Sequence, residues 1–166
     1  MDTLGNLDQS VSSNEAPNYN THKANLSNPS PSSVATPLSI LLAEDNLVNQ
    51  KVALRVLKHL GYQADVVENG KAVIEAIANK SYDLILMDIQ MPEMDGLEAT
   101  QYIRNQELES QLPPIAIVAV TANATHDDQD ICRQAGMNDY ISKPIQIEKL
   151  KNILQQYESL KNNPNQ

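Results

Sequence analysis

The strongest constraint on the fold is an alternation of two periodicities. Strand signals fall at residues 38–43, 64–68, 84–87, 115–120 and 139–142, with polar residues after each. Between them run stretches with helical spacing. Val48, Val52, Val56 and Leu60 are spaced to share one helix face, which stops at Gly61. Asn69-Gly70 opens a second helix, capped by Asn69, with Val73, Ile74 and Ile77 inward. A third follows Gly96, with Leu97 and Ile103 on its buried side, and Pro113-Pro114 breaks the chain behind it. A more polar fourth helix covers 125–135 and stops at Gly136. The last carries the stripe Ile147, Leu150, Ile153, Leu154 and Tyr157. Five strands alternating with five helices predict an α/β fold with a parallel sheet and right-handed crossovers. The usual solution for five units is doubly wound, in the order 2-1-3-4-5, with helices on both faces.

That topology has a chemical consequence. Leu84 to Met87 is a continuous apolar run, expected of a strand buried on both faces, and Asp88 closes it before a loop rich in Pro, Asp and Gly. The order 2-1-3-4-5 puts the topological switch between the first and third strands, where open α/β sheets bind ligands. Glu44-Asp45 end the first strand and Asp88 the third, so three carboxylates converge on one crevice. Thr121 ends the fourth strand and Lys143 the fifth. Each residue has a plain structural use when taken alone. Asp88 can start a turn, Glu44-Asp45 can cap a helix, Thr121 can end a strand, and Lys143 can sit in solvent. Five such groups on one rim point to chemistry instead.

Three clustered carboxylates repel one another and resist ionising without a cation. A hard divalent ion such as Mg²⁺ relieves this, and one or two carboxylates suffice to hold it. Phosphoryl transfer needs a nucleophile in line, a cation on the transferring oxygens and a further positive donor. Asp88 can be the nucleophile, because aspartyl phosphates are an established covalent intermediate. Asp45 and Asp88 can hold Mg²⁺, Lys143 supplies the second positive charge, and the Thr121 hydroxyl can donate to a third oxygen.

Composition narrows the setting. A net charge of −9 over 166 residues argues against broad nucleic-acid binding, which needs a basic face. No apolar run is long enough to span a bilayer, and the N-terminus lacks the basic and apolar regions of a signal peptide. Cys132 is the sole cysteine, so no disulfide forms within the chain and a cytoplasmic location is expected. It lies in a helical pattern with no neighbouring His, so no reactive role is expected. Without a secretory signal, the N-x-S/T triplets at Asn25, Asn79 and Asn123 read as chance matches. Residues 1–37 are rich in Ser, Asn and Pro, and read as a disordered tail or a linker from a larger protein. The folded domain is expected over 38–160, with 161–166 a short tail.

Four pieces of this chain resemble one known family. They are Ile40-Leu41-Leu42-Ala43-Glu44-Asp45-Asn46, Leu86-Met87-Asp88-Ile89-Gln90-Met91-Pro92-Glu93-Met94-Asp95-Gly96, Val120-Thr121-Ala122 and Tyr140-Ile141-Ser142-Lys143-Pro144. In order and spacing, across residues 38–157, they resemble the receiver (response-regulator) domain of two-component phosphorelay signalling. The stretch from Glu44 to Gln50 especially resembles receivers of hybrid sensor histidine kinases. The resemblance implies that Asp88 accepts phosphate from a phosphohistidine on a sensor histidine kinase or histidine phosphotransfer protein. It implies Mg²⁺ ligation by the side chains of Asp45 and Asp88 and the backbone carbonyl of Gln90, with Glu44 acting through a metal-bound water. Lys143 then pairs with the phosphoryl group, Thr121 is the switch hydroxyl and Tyr140 the switch aromatic. The Lys143-Pro144 bond is expected to be cis. Phosphorylation would reshape the surface formed by the fourth helix, fifth strand and last helix, which would meet a downstream protein partner. Gln90 and Asn123 occupy the two places that help set phosphoryl lifetime in the family.

Two other classes use similar parts. A haloacid-dehalogenase-like phosphatase needs a second aspartate two residues after the nucleophile. Gln90 stands there and cannot shuttle a proton, so a turnover enzyme is disfavoured. A flavodoxin-like electron carrier needs a phosphate-cradling loop after the first strand, where Glu44-Asp45 would repel the phosphate. After the last helix too few residues remain for an output module. Output by protein contact or onward phosphotransfer is therefore expected. The initial Met1 favours an independent chain, and a detached C-terminal receiver of a hybrid kinase is the alternative.

Overall fold

The computed structural model describes residues 35–165, so the expected disordered stretch lies outside the described residues except for 35–37. Ten elements alternate along the chain: β1 (Ile40–Ala43), α1 (Leu47–His59), β2 (Ala64–Val67), α2 (Gly70–Asn79), β3 (Leu84–Asp88), α3 (Gly96–Ser110), β4 (Ala116–Thr121), α4 (His126–Ala135), β5 (Asp139–Ser142) and α5 (Ile147–Asn162). The strands pair in parallel in the order β2-β1-β3-β4-β5. Both the architecture and the strand order match the expectation from sequence.

The period of two along each strand sorts the core into two layers. Ile40 and Leu42 of β1, Leu84 and Leu86 of β3, and Val118 and Val120 of β4 pack against Ala53 and Leu57 of α1 and Leu150, Ile153 and Leu154 of α5. The alternate residues Leu41, Ala43, Ile85, Met87, Ile117 and Ala119 pack against Val73 of α2, Ala99 and Ile103 of α3, and Cys132 of α4. All five residues of β3 are buried, so the strand that carries Asp88 is covered on both faces. Each fully buried leucine here contributes roughly 1.5–3 kcal/mol.

Helix ends follow local chemistry. Asn69 accepts a hydrogen bond from Ala72 N, as expected of a cap. Asp95 and Glu98 form a reciprocal capping box at the start of α3. Thr125 and Asp128 form another at α4, which ends at Gly136 with φ 101°. The Lys143-Pro144 bond is cis.

Three expectations require adjustment. The stripe Val48, Val52, Val56 and Leu60 is not the buried face of α1. Val48 is 68% and Val52 45% exposed, and the core-facing residues are Gln50, Ala53 and Leu57. Steps of four residues drift about 40° around a helix of 3.6 residues per turn, so the stripe starts outside and winds onto the core at Val56 and Leu60. Ile147, at the first turn of α5, is also exposed, whereas Leu150, Ile153 and Leu154 are buried. Helix α5 continues through Asn162, because Lys161 donates to Asp83 Oδ2 at 2.7 Å and to Pro37 O at 3.0 Å.

Candidate functional site

Strand register assembles the site. Ala43 pairs with Met87, so Glu44 and Asp88 follow at the same level. Asp88 pairs with Val120, and Thr121 pairs with Ser142, so Thr121 and Lys143 complete the rim. Glu44, Asp45, Asn49, Asp88, Gln90, Thr121, Asn123, Asp128 and Lys143 are among the residues that line one cleft of about 370 Å³. It lies at the carboxyl ends of the strands, between β1 and β3, whose following helices pass to opposite faces of the sheet.

Glu44 is 3% exposed and Asp88 5%, whereas Asp45 stands in solvent. Lys143 Nζ bridges the two buried carboxylates, 2.7 Å from Glu44 Oε2 and 2.9 Å from Asp88 Oδ2. Burial pushes the Asp88 carboxyl up, and repulsion from Glu44 adds to this. The pull of Lys143 and of Gln90 N–H, 3.2 Å from Oδ1, only partly offsets them. Burial acts on Glu44 in the same sense. There the bonds from Lys143, Asn49 and the Asn46 backbone outweigh it and hold the carboxyl below its ordinary value. Burial disfavours the Lys143 ammonium, but its two carboxylate partners overcome this and raise its pKa.

One carboxylate oxygen from each of Glu44, Asp45 and Asp88 can be chosen so that all lie within 4.8 Å of one another. Three carboxylates against one ammonium leave two negative charges uncompensated. An all-oxygen set of this charge fits a hard divalent ion such as Mg²⁺.

Helix α1 frees these acids for the cleft. The cap of α1 is Asn46, not Glu44 or Asp45: Asn46 Oδ1 accepts from Val48 N at 2.9 Å and Asn49 N at 3.1 Å. Asn49 and Gln50 were not singled out from the sequence. Asn49 Nδ2 donates to Glu44 Oε1 at 3.2 Å, and buried Gln50 donates to the Glu44 carbonyl at 2.7 Å. Their position three and four residues after the Asn46 cap, about one helical turn, is the signal that could have marked them. Asp128 is a further cleft residue that its capping role concealed.

Thr121 reaches the rim, but its hydroxyl donates to Asn123 O at 2.8 Å and accepts from Asn123 N at 3.1 Å. Tyr140 does not enter this cleft. Its half-buried ring lies under Lys149 of α5, with Nζ 3.9 Å from the ring centroid.

Comparison with known proteins matches this geometry. The model of the response regulator receiver domain matches residues 40–155. Histidine protein kinase 1 of Candida albicans is 46% identical over 145 residues, covering 82% of this chain but only 6% of the kinase. This chain thus spans a small fraction of that relative's length. The receiver domain of a sensor histidine kinase from Pseudomonas aeruginosa, solved with magnesium coordinated in its active site cleft, is 43% identical. It superposes with a TM-score of 0.65 over 75% of this chain and 99% of that one. The receiver domain of Ssk1 from Saccharomyces cerevisiae, solved with the histidine phosphotransfer protein Ypd1, gives a TM-score of 0.71 at 26% identity. That match covers 75% of this chain and 91% of the other. With its strand order, its acidic rim and these similarities, the chain belongs to the response regulator receiver domain family, a signalling module of two-component and phosphorelay systems.

Proposed function

We propose that Asp88 is the phosphoacceptor of this module, and that it takes a phosphoryl group from a phosphohistidine on a histidine kinase or histidine phosphotransfer protein. The observation that carries this reading is the buried Asp88 carboxylate held at 2.9 Å by Lys143, beside two further acids at the switch point of the sheet. In the transfer, an Asp88 oxygen forms a bond to phosphorus as the P–N bond breaks. The imidazole keeps the electron pair and the phosphoryl group passes to the protein. Asp45 and Asp88 side chains, with the Gln90 carbonyl, would hold Mg²⁺, which neutralises the phosphoryl oxygens when bound. Glu44 anchors Lys143 and would act on a bound ion only through water. Lys143 moves its second contact from the carboxylate to the phosphoryl group.

The downstream response runs through Thr121 and Tyr140. Thr121 leaves its bond to Asn123 and donates to a phosphoryl oxygen. Tyr140 turns inward from under Lys149, and the face of α4, β5 and α5 is presented to a partner protein. This is a population shift in a bistable element. The exposed Leu47, Val48 and Val52 on α1 offer the phosphodonor an apolar footing, with Val52 sharing a small cleft with Lys143 and Pro144. Gln90 supplies no proton shuttle, so a self-catalysed, slowly reversed phosphorylation is proposed rather than turnover of substrates. A cytoplasmic setting fits this role, and no described helix is long and apolar enough to cross a membrane. Neither nucleic acid nor membrane is proposed as a partner. The folded domain is proposed to run from 38 to the end of α5 at Asn162, preceded by the Ser/Asn/Pro-rich 1–37.

A second reading is favoured by the small share of the Candida kinase that this chain spans: the module is the receiver piece of a hybrid histidine kinase. Phosphotransfer profiling against candidate kinases and phosphotransfer proteins tests the main reading. Label should move to the wild-type protein in a Mg²⁺-dependent manner and not to Asp88→Asn. Phosphorylation that survives in Asp88→Asn would refute the assignment.

A further inference from the structure

We propose that Asn49 is a positioning residue: by fixing the Glu44 carboxylate outside the ligand shell of a bound cation, it tunes the cleft for Mg²⁺ over Ca²⁺. The inference rests on the phosphoacceptor reading above and deepens it. It starts from how unequally the three acids are engaged. Glu44 Oε1 accepts from Asn46 N at 3.1 Å and from Asn49 Nδ2 at 3.2 Å. Glu44 Oε2 lies 2.7 Å from Lys143 Nζ, whose charge repels a cation there. The Glu44 backbone is pinned as well, through Gln50 Nε2 on its carbonyl at 2.7 Å. Every polar part of Glu44 beyond its own N–H is thus held by α1 or β5–α5 residues. Asp45 is exposed and its side chain makes no hydrogen bond or ion pair among the described residues. Asp88 Oδ1 accepts only the 3.2 Å bond from Gln90 N. Two carboxylates are available to an ion, and the third is fastened back.

The number of available carboxylates decides which ion fits. Mg²⁺ demands an octahedral shell, keeps several waters and needs only one or two carboxylates, whereas Ca²⁺ accepts six to eight oxygens in a flexible shell. Asn49 projects from the first turn of α1 and is the one side-chain donor on Oε1. Without its amide, Glu44 Oε1 keeps a single backbone donor and can swing toward the ion. A third carboxylate at hand benefits the larger, more accommodating cation. Asn49 is half-buried at a helical position, where alanine is the best helix former.

Calorimetric titration with MgCl₂ and with CaCl₂ tests this without reference to phosphorylation. In Asn49→Ala the Ca²⁺ affinity should rise about fivefold relative to Mg²⁺, the scale of one hydrogen bond. In Asn49→Ala combined with Glu44→Gln that gain should vanish, since the freed carboxylate is gone. Glu44→Gln alone is the reference for that comparison, because it lacks the carboxylate whose release is tested. An unchanged ratio in Asn49→Ala, or a gain of the double variant over Glu44→Gln alone, would overturn the proposal. Cation binding by a wild-type protein that takes up no phosphoryl group would instead overturn the phosphoacceptor reading. A wild-type protein that binds neither cation would overturn both.

Discussion

Asp88 is kept in the fold against its own electrostatic interest. Its carboxyl is raised by burial and by Glu44, and Lys143 restores only part of the balance. A raised carboxyl supports folding in its protonated form. That contribution is complete below the unfolded pKa and is lost as pH rises through the folded value. At neutral pH the ionised side chain therefore weighs against the native state. Asparagine keeps the shape and still accepts from Lys143, so Asp88→Asn should raise the melting temperature at pH 7 in cation-free buffer. The advantage should shrink as acid protonates the wild-type carboxyl. A melting temperature equal to or below wild type at pH 7 would contradict this account of the site. The acids and Lys143 were legible in the sequence because each ends a strand. Asn49 and Gln50 were not, because only the fold turns their side chains back onto Glu44.

At the scale of elements, the site depends on how closely α3 approaches the end of β3. Gly96 opens that helix, and its N–H donates to Ile89 O at 2.9 Å. A Cβ at Gly96 would collide with the Asp88 carbonyl oxygen, a contact no real side chain tolerates. Gly96→Ala should therefore push α3 away from the strand that carries the acceptor. The expected loss is about 1–3 kcal/mol of unfolding free energy, typical of overpacking, measured by urea denaturation. Stability unchanged from wild type would contradict the close approach. Element type and order were readable because each strand is a short apolar run and each helix has a cap or a glycine stop. Burial along α1 was harder to read, since the valine stripe drifts around the helix and its N-terminal half faces solvent. That exposed half, with Val48 and Val52, stands beside the cleft instead of under it.

For the molecule as a whole, parallel topology is what gathers the chemistry. Glu44 and Lys143 are far apart in sequence, yet every strand points the same way and delivers its last polar residue to one rim. The opposite end of the sheet is tied by Lys161, which joins the end of α5 to Asp83 and to the incoming backbone at Pro37. From sequence alone that lysine falls in a tail, because the pairing becomes visible only once α5 lies against β3. The rim, by contrast, follows from strand order alone, and strand order follows from the alternation of strand and helix. Phosphorylation at that rim is the central claim. Its most direct test is to load the protein with a small-molecule acyl phosphate and Mg²⁺, reduce with borohydride, and map the modified residue by peptide mass spectrometry. Reduction of an aspartyl phosphate converts that aspartate to homoserine, and the account predicts homoserine at position 88 and nowhere else. Unmodified Asp88 in a protein that carries phosphate at another residue would contradict it.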